Sequence, residues 1–322
     1  MARVFVTRAL DGFALERLTG IHDTTIWSDA QPPSYEALRR EAETADGLMT
    51  AVGDRIDAEL ITAAPNLKAI SNLAVGFDNI DLAAAAARKI PVGHTPGVLT
   101  EATADLTWAL LMSAARRVPE SYEWARAGKW LSWEPGGFLG ADIHGATLGV
   151  IGLGSIGKAV ARRAEGFDMT VLSVGRPDSD GAPEALDRLL RESDFVSLHC
   201  PLTPQTHHLI NAAALTKMKP TAILINTARG PIVDQLALAD ALATGQIAGA
   251  ALDVTDPEPL PADNALWHAP NLVITPHIGS ATTFARTNMV KIAIDNLLAG
   301  LAGEPLRHQV PAFTPPGQAQ PS

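Results

Sequence analysis

The 322-residue sequence predicts an α/β fold built as two doubly wound parallel-sheet domains. Three observations carry this expectation. Short apolar runs alternate with helical patterns along the chain, the alternation restarts near residue 146, and the length suits about two ordinary domains. Hydrophobic residues make up 47% of the chain, enough for sizeable cores and far from the composition of a disordered protein.

The elements follow in order. "RVFVTR" (3–8) reads as a strand, "YEALRREAE" (35–43) as a helix and "GLMTAV" (47–52) as a strand. "LKAISNLAV" (67–75) and "PVGHTP" (91–96) continue the scheme. "ATADLTWALLMSAA" (102–115) is apolar nearly all round, which predicts a buried helix. It carries Asp105 and is too short for a bilayer span, and its burial could lie within the chain or against a second subunit. The stretch 128–144, "GKWLSWEPGGFLGADIH", has no clear period and reads as a long functional loop. The second run starts at "ATLGVIGLG" (146–154), with strands at "TVLSV" (170–174), "FVSLHC" (195–200), "AILINT" (222–227), "GAALDV" (249–254) and "LVITPH" (272–277). A last helix is expected over 281–300, closed by Gly300, and the tail "PAFTPPGQAQPS" has the composition of a disordered end.

Composition narrows the function. A net charge of −10 would be repelled by phosphate backbones, which argues against a nucleic-acid partner. The single cysteine, Cys200, excludes an intrachain disulfide and a four-cysteine zinc site, and it fits a reducing cytoplasm. The N-terminal "MARVFVTRAL" is too short and mixed for a signal peptide, and neither a membrane nor a metal is expected.

Gly152, Gly154 and Gly157, with Ser155 and Ile156 among them, form G-x-G-x-x-G. The motif follows a strand and opens the helical "KAVARRAEGF", the context of a Rossmann-like phosphate-binding turn. The first glycine permits the tight turn, the second lets backbone approach a pyrophosphate, and the third lets helix and strand pack closely. About twenty residues on, such folds place a carboxylate on the adenosine ribose. Here Gly175-Arg176 stands instead. A guanidinium there would pair with a ribose 2′-phosphate, pointing to NADP(H), with NAD(H) possible. The alternatives are a solvated Arg176, or a site weakened by Asp178 and Asp180 turning inward.

Three charged residues follow successive strands: Arg229 after "ILINTA", Glu258 after "ALDVTDP" and His277 after "LVITP". Open α/β sheets hold their ligands at such ends. Each alone could be structural; together they suit reduction of a 2-oxoacid. A protonated His gives a proton, a carboxylate favours that protonated form, and an Arg holds the substrate carboxylate and polarises its carbonyl.

With these residues in view, the chain resembles the D-isomer-specific 2-hydroxyacid dehydrogenase family. The resemblance runs through "NLAVGFDNID" (72–81), "TPGVLTEATADL" (95–106), "GLGSIGKAVARR" (152–163), "HCPLTPQTHHLI" (199–210), "INTARGPIVD" (225–234), "ALDVTDPEPLP" (251–261) and "TPHIGSAT" (275–282). Within the family it is most similar to glyoxylate/hydroxypyruvate reductases, through "YEWARAGKWLSWEP" (122–135), "VGRP" (174–177) and "NLLAGLAGEPL" (296–306).

The resemblance implies that Arg229, Glu258 and His277 are the catalytic set and that the amides at Val75 and Gly76 bind the substrate carboxylate. It implies a substrate-side Ser280 and a Trp133 that reaches a partner's active site, with Trp130 packed. It places Asp253 near the nicotinamide amide, with Pro201, Thr206, Thr227 and Gly279 along the cofactor. It implies a homodimer formed through the segment that includes helix 102–115. The substrate domain would comprise 1–98 and 286–322 and the cofactor domain 99–285, with the active site in the cleft between them. Departures at "GGFL" (136–139) and a short stretch between Arg176 and Ser193 bear on the pocket and the adenosine contacts. The rival readings are another dehydrogenase of the family, acting on phosphoglycerate, lactate or phosphite, and a non-enzymatic NAD(P)-sensing corepressor-like protein. His199, Cys200, His207, His208, Asp78 and Asp81 take structural readings: packed strand-end residues, a surface loop, and turn and cap residues.

Overall fold

A computed structural model describes residues 1–10, 15–175 and 181–310. Arg176, Asp178, Asp180 and the tail 311–322 lie outside the described residues. In chain order the elements are β1 (Arg3–Val6), α1 (Glu16–Thr19), β2 (Asp23–Ile26), α2 (Tyr35–Ala42), β3 (Gly47–Thr50), α3 (Ala58–Ala63), β4 (Ala69–Asn72), α4 (Leu82–Ala87) and β5 (Val92–Gly93). There follow α5 (Thr100–Ala115), α6 (Val118–Arg126), β6 (Thr147–Ile151), α7 (Ser155–Ala164), β7 (Thr170–Val174), α8 (Ala182–Glu192), β8 (Phe195–Leu198) and α9 (Ala212–Leu215). The chain ends with β9 (Ile223–Asn226), α10 (Gln235–Ala243), β10 (Gly249–Leu252), β11 (Leu272–Ile274) and α11 (Thr283–Ala302). These elements form two compact units: Met1–Leu99 with the segment from Thr282 onward, and Thr100–Ala281.

The first unit is a parallel sheet in the order β2-β1-β3-β4-β5. Its strands alternate between two cores, as the period of two in a strand requires. Phe5, Leu48 and Ile70 face a core with Leu38, Leu60 and Ile61. Val4, Val6, Met49 and Ala69 face the other way, against Ile294 and Leu297 of α11. That helix runs past Gly300, where it was expected to stop, and ends at Gly303, whose φ of 75° takes the left-handed conformation that favours glycine. Gly300 has a packing role instead: a Cβ there would stand 2.5 Å from the Cβ of Ala69. β2 escaped the sequence pattern because "DTTI" pairs only with β1 at the sheet edge and buries little.

The second unit is a parallel sheet in the order β11-β10-β9-β8-β6-β7. β6, its first strand, has β7 on one side and β8 on the other, so the winding reverses at β6. Ile151, Leu198, Leu224 and Leu252 face one core, and Leu148, Val150, Phe195 and Ile225 the other.

α5 buries its apolar face inside this same unit. Trp108 stacks on Phe167 at 4.8 Å and its Nε1–H donates to the Val160 carbonyl at 3.1 Å. Thr103, Thr107, Leu110, Leu111 and Ala115 are buried with it. The intersubunit reading of that face is therefore corrected. The apolar surface left open lies just beyond, on α6 and its loop: Tyr122, Trp124, Leu131 and Leu139 are exposed. Trp130, expected to pack, is 73% exposed, and Trp133 is 83% exposed. Among the described residues no helix is long and apolar enough to cross a membrane, and no cluster of three or more His, Cys, Asp or Glu could hold a metal.

Candidate active site

The glycine turn leaves β6 where the winding reverses, outside the carboxyl ends of the strands, where open α/β sheets bind ligands. Gly152 sits at φ 98°. A Cβ there would collide with backbone at His199 and Cys200, 2.5–2.7 Å away. Gly157 is buried against the turn. A Cβ on Gly154 would meet no protein atom within 4 Å, and Gly154 caps the first turn of the ten-residue α7. The open side of Gly154, the exposed Ser155 and the partly buried Ile156 thus form a helix N-terminus with room for an anion. The pyrophosphate of a dinucleotide fits that cradle. Gly175, at the exposed end of β7, is open as well.

The loop after β8 is internally tied. The Thr206 hydroxyl is buried and donates to the Pro201 carbonyl at 2.7 Å, and the Thr203 amide donates to it at 2.8 Å. Thr206 therefore shapes the loop that carries the exposed Pro201. Thr227, past β9, shares a hydroxyl–hydroxyl hydrogen bond of 2.9 Å with Thr107 of α5. His199 pairs with the buried Ser197 hydroxyl through Nε2 at 2.8 Å. Burial pushes its pKa down to about 4, so it is neutral near pH 7 and is a poor proton donor. Burial likewise raises the Cys200 thiol to about 11.

Arg229, Glu258 and His277 follow β9, β10 and β11, three neighbouring strands of one sheet. The structure joins Glu258 and His277 directly: Nδ1 of the imidazole lies 2.5 Å from Oε1 of the carboxylate. A carboxylate oxygen accepts, so Nδ1 carries the hydrogen and Nε2 is turned to other work. Arg229 is partly buried, and its Nη1 donates to its neighbour Ala228's carbonyl at 2.8 Å. The Asn226 amide clasps the Arg229 carbonyl at 2.8 Å, fixing the backbone there.

His277 is held in a left-handed conformation, φ 53°, unusual for a residue with a side chain. Asp253, buried at the end of β10, explains how. The His277 amide donates to the Asp253 carbonyl at 2.9 Å. The Asp253 carboxylate accepts from the Thr275 hydroxyl at 2.6 Å and from the Ile278 and Gly279 amides at 2.8 and 2.7 Å. Burial raises the Asp253 pKa, and those hydrogen bonds together with the charge of His277 oppose the rise. Gly279 fits closely here, since a Cβ would stand 3.1 Å from Asp253 Oδ2. Ser280 follows, partly buried. Asp253 thus braces the loop that aims His277. Thr275 was not picked out from sequence, although a polar residue directly after an apolar strand and two before a candidate catalytic His is a signal of this kind.

In the first unit, the loop after β4 carries Val75 and Gly76. Its carbonyls are anchored one by one. Ala74 O accepts from the Thr95 amide at 2.8 Å, Val75 O from His94 Nδ1 at 2.9 Å, and Gly76 O from Asn72 Nδ2 at 3.0 Å. Asn72 is fully buried and also bonds Thr50 and Asn79. Sequence reading missed Asn72 as well; its mark is a buried amide at a strand end, immediately before a glycine-containing loop.

The fold and these features define a class, the dinucleotide-binding α/β oxidoreductases. Residues 108–279 match the family model described as D-isomer specific 2-hydroxyacid dehydrogenase, NAD binding domain. The chain is 46% identical to a glyoxylate reductase of Korarchaeum cryptofilum, covering 98% of both chains. It is 45% identical to one of Aeropyrum pernix, covering 94% of this chain and 93% of that one. Among solved structures, a protein of Thermus thermophilus is similar with a TM-score of 0.89 and 50% identity, over 96% of this chain and 99% of that one. An NADPH-dependent glyoxylate/hydroxypyruvate reductase of Sinorhizobium meliloti, in complex with NADP and malonate, is similar with a TM-score of 0.85 and 32% identity, over 97% of each chain. The chain belongs to the D-isomer-specific 2-hydroxyacid dehydrogenase family and is an NAD(P)-dependent oxidoreductase.

Proposed function

We propose that this protein reduces glyoxylate or hydroxypyruvate to glycolate or D-glycerate, with NADPH preferred over NADH. The observation that carries the reading is the 2.5 Å His277–Glu258 pair on the same sheet as the glycine turn. The similarity to glyoxylate reductases and to the NADPH-dependent enzyme supports the substrate and cofactor assignments. In this reading the second unit holds the nucleotide, through Gly152, Gly154, Ser155, Ile156, Gly157, Gly175 and Arg176, with Pro201, Thr206, Thr227, Asp253 and Gly279 forming its surroundings.

When bound, the reduced nicotinamide supplies the hydride. The residues do the rest. The Val75 and Gly76 amides and Arg229 hold the substrate carboxylate, and Arg229 draws charge toward the carbonyl oxygen. Protonated His277 gives its proton to that oxygen as charge develops, and is left neutral. Glu258 balances the charge of the imidazolium before transfer and fixes the ring through Nδ1. Ser280 borders the substrate.

The exposed Tyr122, Trp124, Leu131 and Trp133 support a homodimer, because so much aromatic surface on one segment calls for a partner. Trp133 would then reach the partner's active site. A steady-state panel of glyoxylate, hydroxypyruvate and pyruvate, each with NADPH and with NADH, tests substrate and cofactor together. Absence of turnover with every one of them would sink the proposal.

A further inference from the structure

We infer that His94 is a positioning residue for the substrate carboxylate: its Nδ1–H holds the Val75 carbonyl and thereby directs the Gly76 amide. The inference rests on the reading that the Val75 and Gly76 amides receive that carboxylate.

In a trans peptide the N–H points opposite to the C=O of the same unit. The carbonyl of Val75 accepts from His94 Nδ1 at 2.9 Å, so the Gly76 amide is turned away from the imidazole. The Ala74 carbonyl, held by the Thr95 amide, turns the Val75 amide in the same manner. Among the described residues, neither the Val75 nor the Gly76 amide donates to a protein group. Two adjacent N–H groups are thus left for an anion.

The 75–76 peptide is the weak point of this arrangement. It precedes a glycine, which accepts both senses of φ, so the peptide could flip at little cost unless something holds its oxygen. A backbone amide holds the Ala74 carbonyl. For the Val75 carbonyl the holder is a side chain, the His94 imidazole. A carbonyl can only accept, so Nδ1 carries the hydrogen.

His94 is itself built in. Its amide donates to the His308 carbonyl at 3.0 Å, and its carbonyl accepts from Asn296 Nδ2 at 3.0 Å. Asn296, on α11, is buried, and its Oδ1 accepts from the His308 amide at 3.2 Å. The close approach of Asn296 requires glycine at 93, where a Cβ would lie 2.7 Å from the Asn296 side chain. The imidazole packs edge-on against Phe77, with ring centres 5.8 Å apart. The ring therefore spans from the end of β5 to both sides of the Val75–Phe77 loop, touching it by hydrogen bond and by aromatic contact.

The test uses three variants of the full chain, with thermal unfolding recorded for each. His94→Phe keeps a ring against Phe77 and removes the donor; His94→Leu is the second donor-free variant. His94→Asn keeps a donor near the place of Nδ1. With saturating NADPH, the donor-free variants should raise the glyoxylate KM and the oxamate Kd by about three- to tenfold, the worth of one net hydrogen bond. kcat and the NADPH KM should stay within about twofold of wild type on the same ground, and His94→Asn should recover most of the loss. An unchanged KM in His94→Phe or His94→Leu, or a parallel loss of kcat and NADPH binding, overturns the inference. The underlying reading is tested separately in wild-type protein labelled with ¹⁵N-valine and ¹⁵N-glycine. If oxamate leaves the Val75 and Gly76 amide resonances unmoved, that reading fails. If they move while the donor-free variants bind oxamate normally, only the role of His94 fails.

Discussion

A methyl group on Gly157 would stand 2.0 Å from the carbonyl oxygen of Gly152, whereas one on Gly154 would touch no protein atom within 4 Å. The glycines of one motif are therefore separable by experiment. Gly157→Ala should destabilise the protein by about 1–3 kcal/mol, the usual cost of overpacking, seen as a lower Tm. Gly154→Ala should lower the Tm less than Gly157→Ala does, by no more than the loss of a good N-cap, and weaken NADPH binding, because its methyl group intrudes on the space left for a ligand. Normal NADPH affinity in Gly154→Ala would remove the phosphate from that cradle.

The His277–Glu258 contact makes a second prediction. His277→Asn should lower kcat for reduction by about 100- to 10,000-fold, the span of general acid catalysis, while NADPH binding measured by fluorescence stays near normal. Glu258→Gln should cost less, about tenfold or more, because the acid remains but its charge partner is gone. A kcat in His277→Asn within tenfold of wild type, with hydride or proton transfer limiting, would count against His277 as the acid.

Arg176 carries the cofactor prediction. Arg176→Ala should raise the KM for NADPH by about ten- to a hundredfold, the worth of a charge-assisted hydrogen bond, and leave the KM for NADH alone. Equal effects on both nucleotides, or none on NADPH, would remove Arg176 from the 2′-phosphate.

His199 links stability to pH. Its folded-state pKa lies at about 4, below the ordinary value near 6.5. Between those values the unfolded chain takes up a proton that the folded one refuses, so stability is lost as pH falls through this window. At pH 5 the loss is about 2 kcal/mol relative to pH 7. Urea unfolding at the two pH values should show this difference shrinking in His199→Gln; an unchanged difference would assign the acid sensitivity to other groups.

Much of the fold was legible because parallel strands buried on both faces read as continuous apolar runs. "TLGVI", buried at four of its five residues, matches β6 residue for residue; "TVLSV" matches β7, a more exposed edge strand, through its β-branched residues instead. β2 was not legible, since an edge strand with two threonines has no burial pattern to betray it. The extent of α11 was misjudged because a glycine in a helix looks like a stop, and only the approach of Ala69 explains Gly300. At the site, residue types at strand ends pointed to Arg229, Glu258 and His277. What holds them did not show. Asp253 acts on Ile278 and Gly279, and His94 on Val75, through contacts between segments 19–26 residues apart, which depend on how the strands are laid side by side.

The helix that covers one face of the first sheet comes from the far end of the chain. Ala293, Ile294 and Leu297 shield Val4, Val6 and Met49, and the Ser71 hydroxyl donates to the Ala293 carbonyl at 2.8 Å. During synthesis, residues 100–281 must be made before that cover exists. At ribosomal rates of about 5–20 residues per second this interval lasts roughly 10–40 s. For that time the nascent chain presents an apolar sheet face with its native partner not yet translated. The second unit, continuous in sequence, can finish first, so the order of completion on the ribosome is the reverse of the order in which the two units begin.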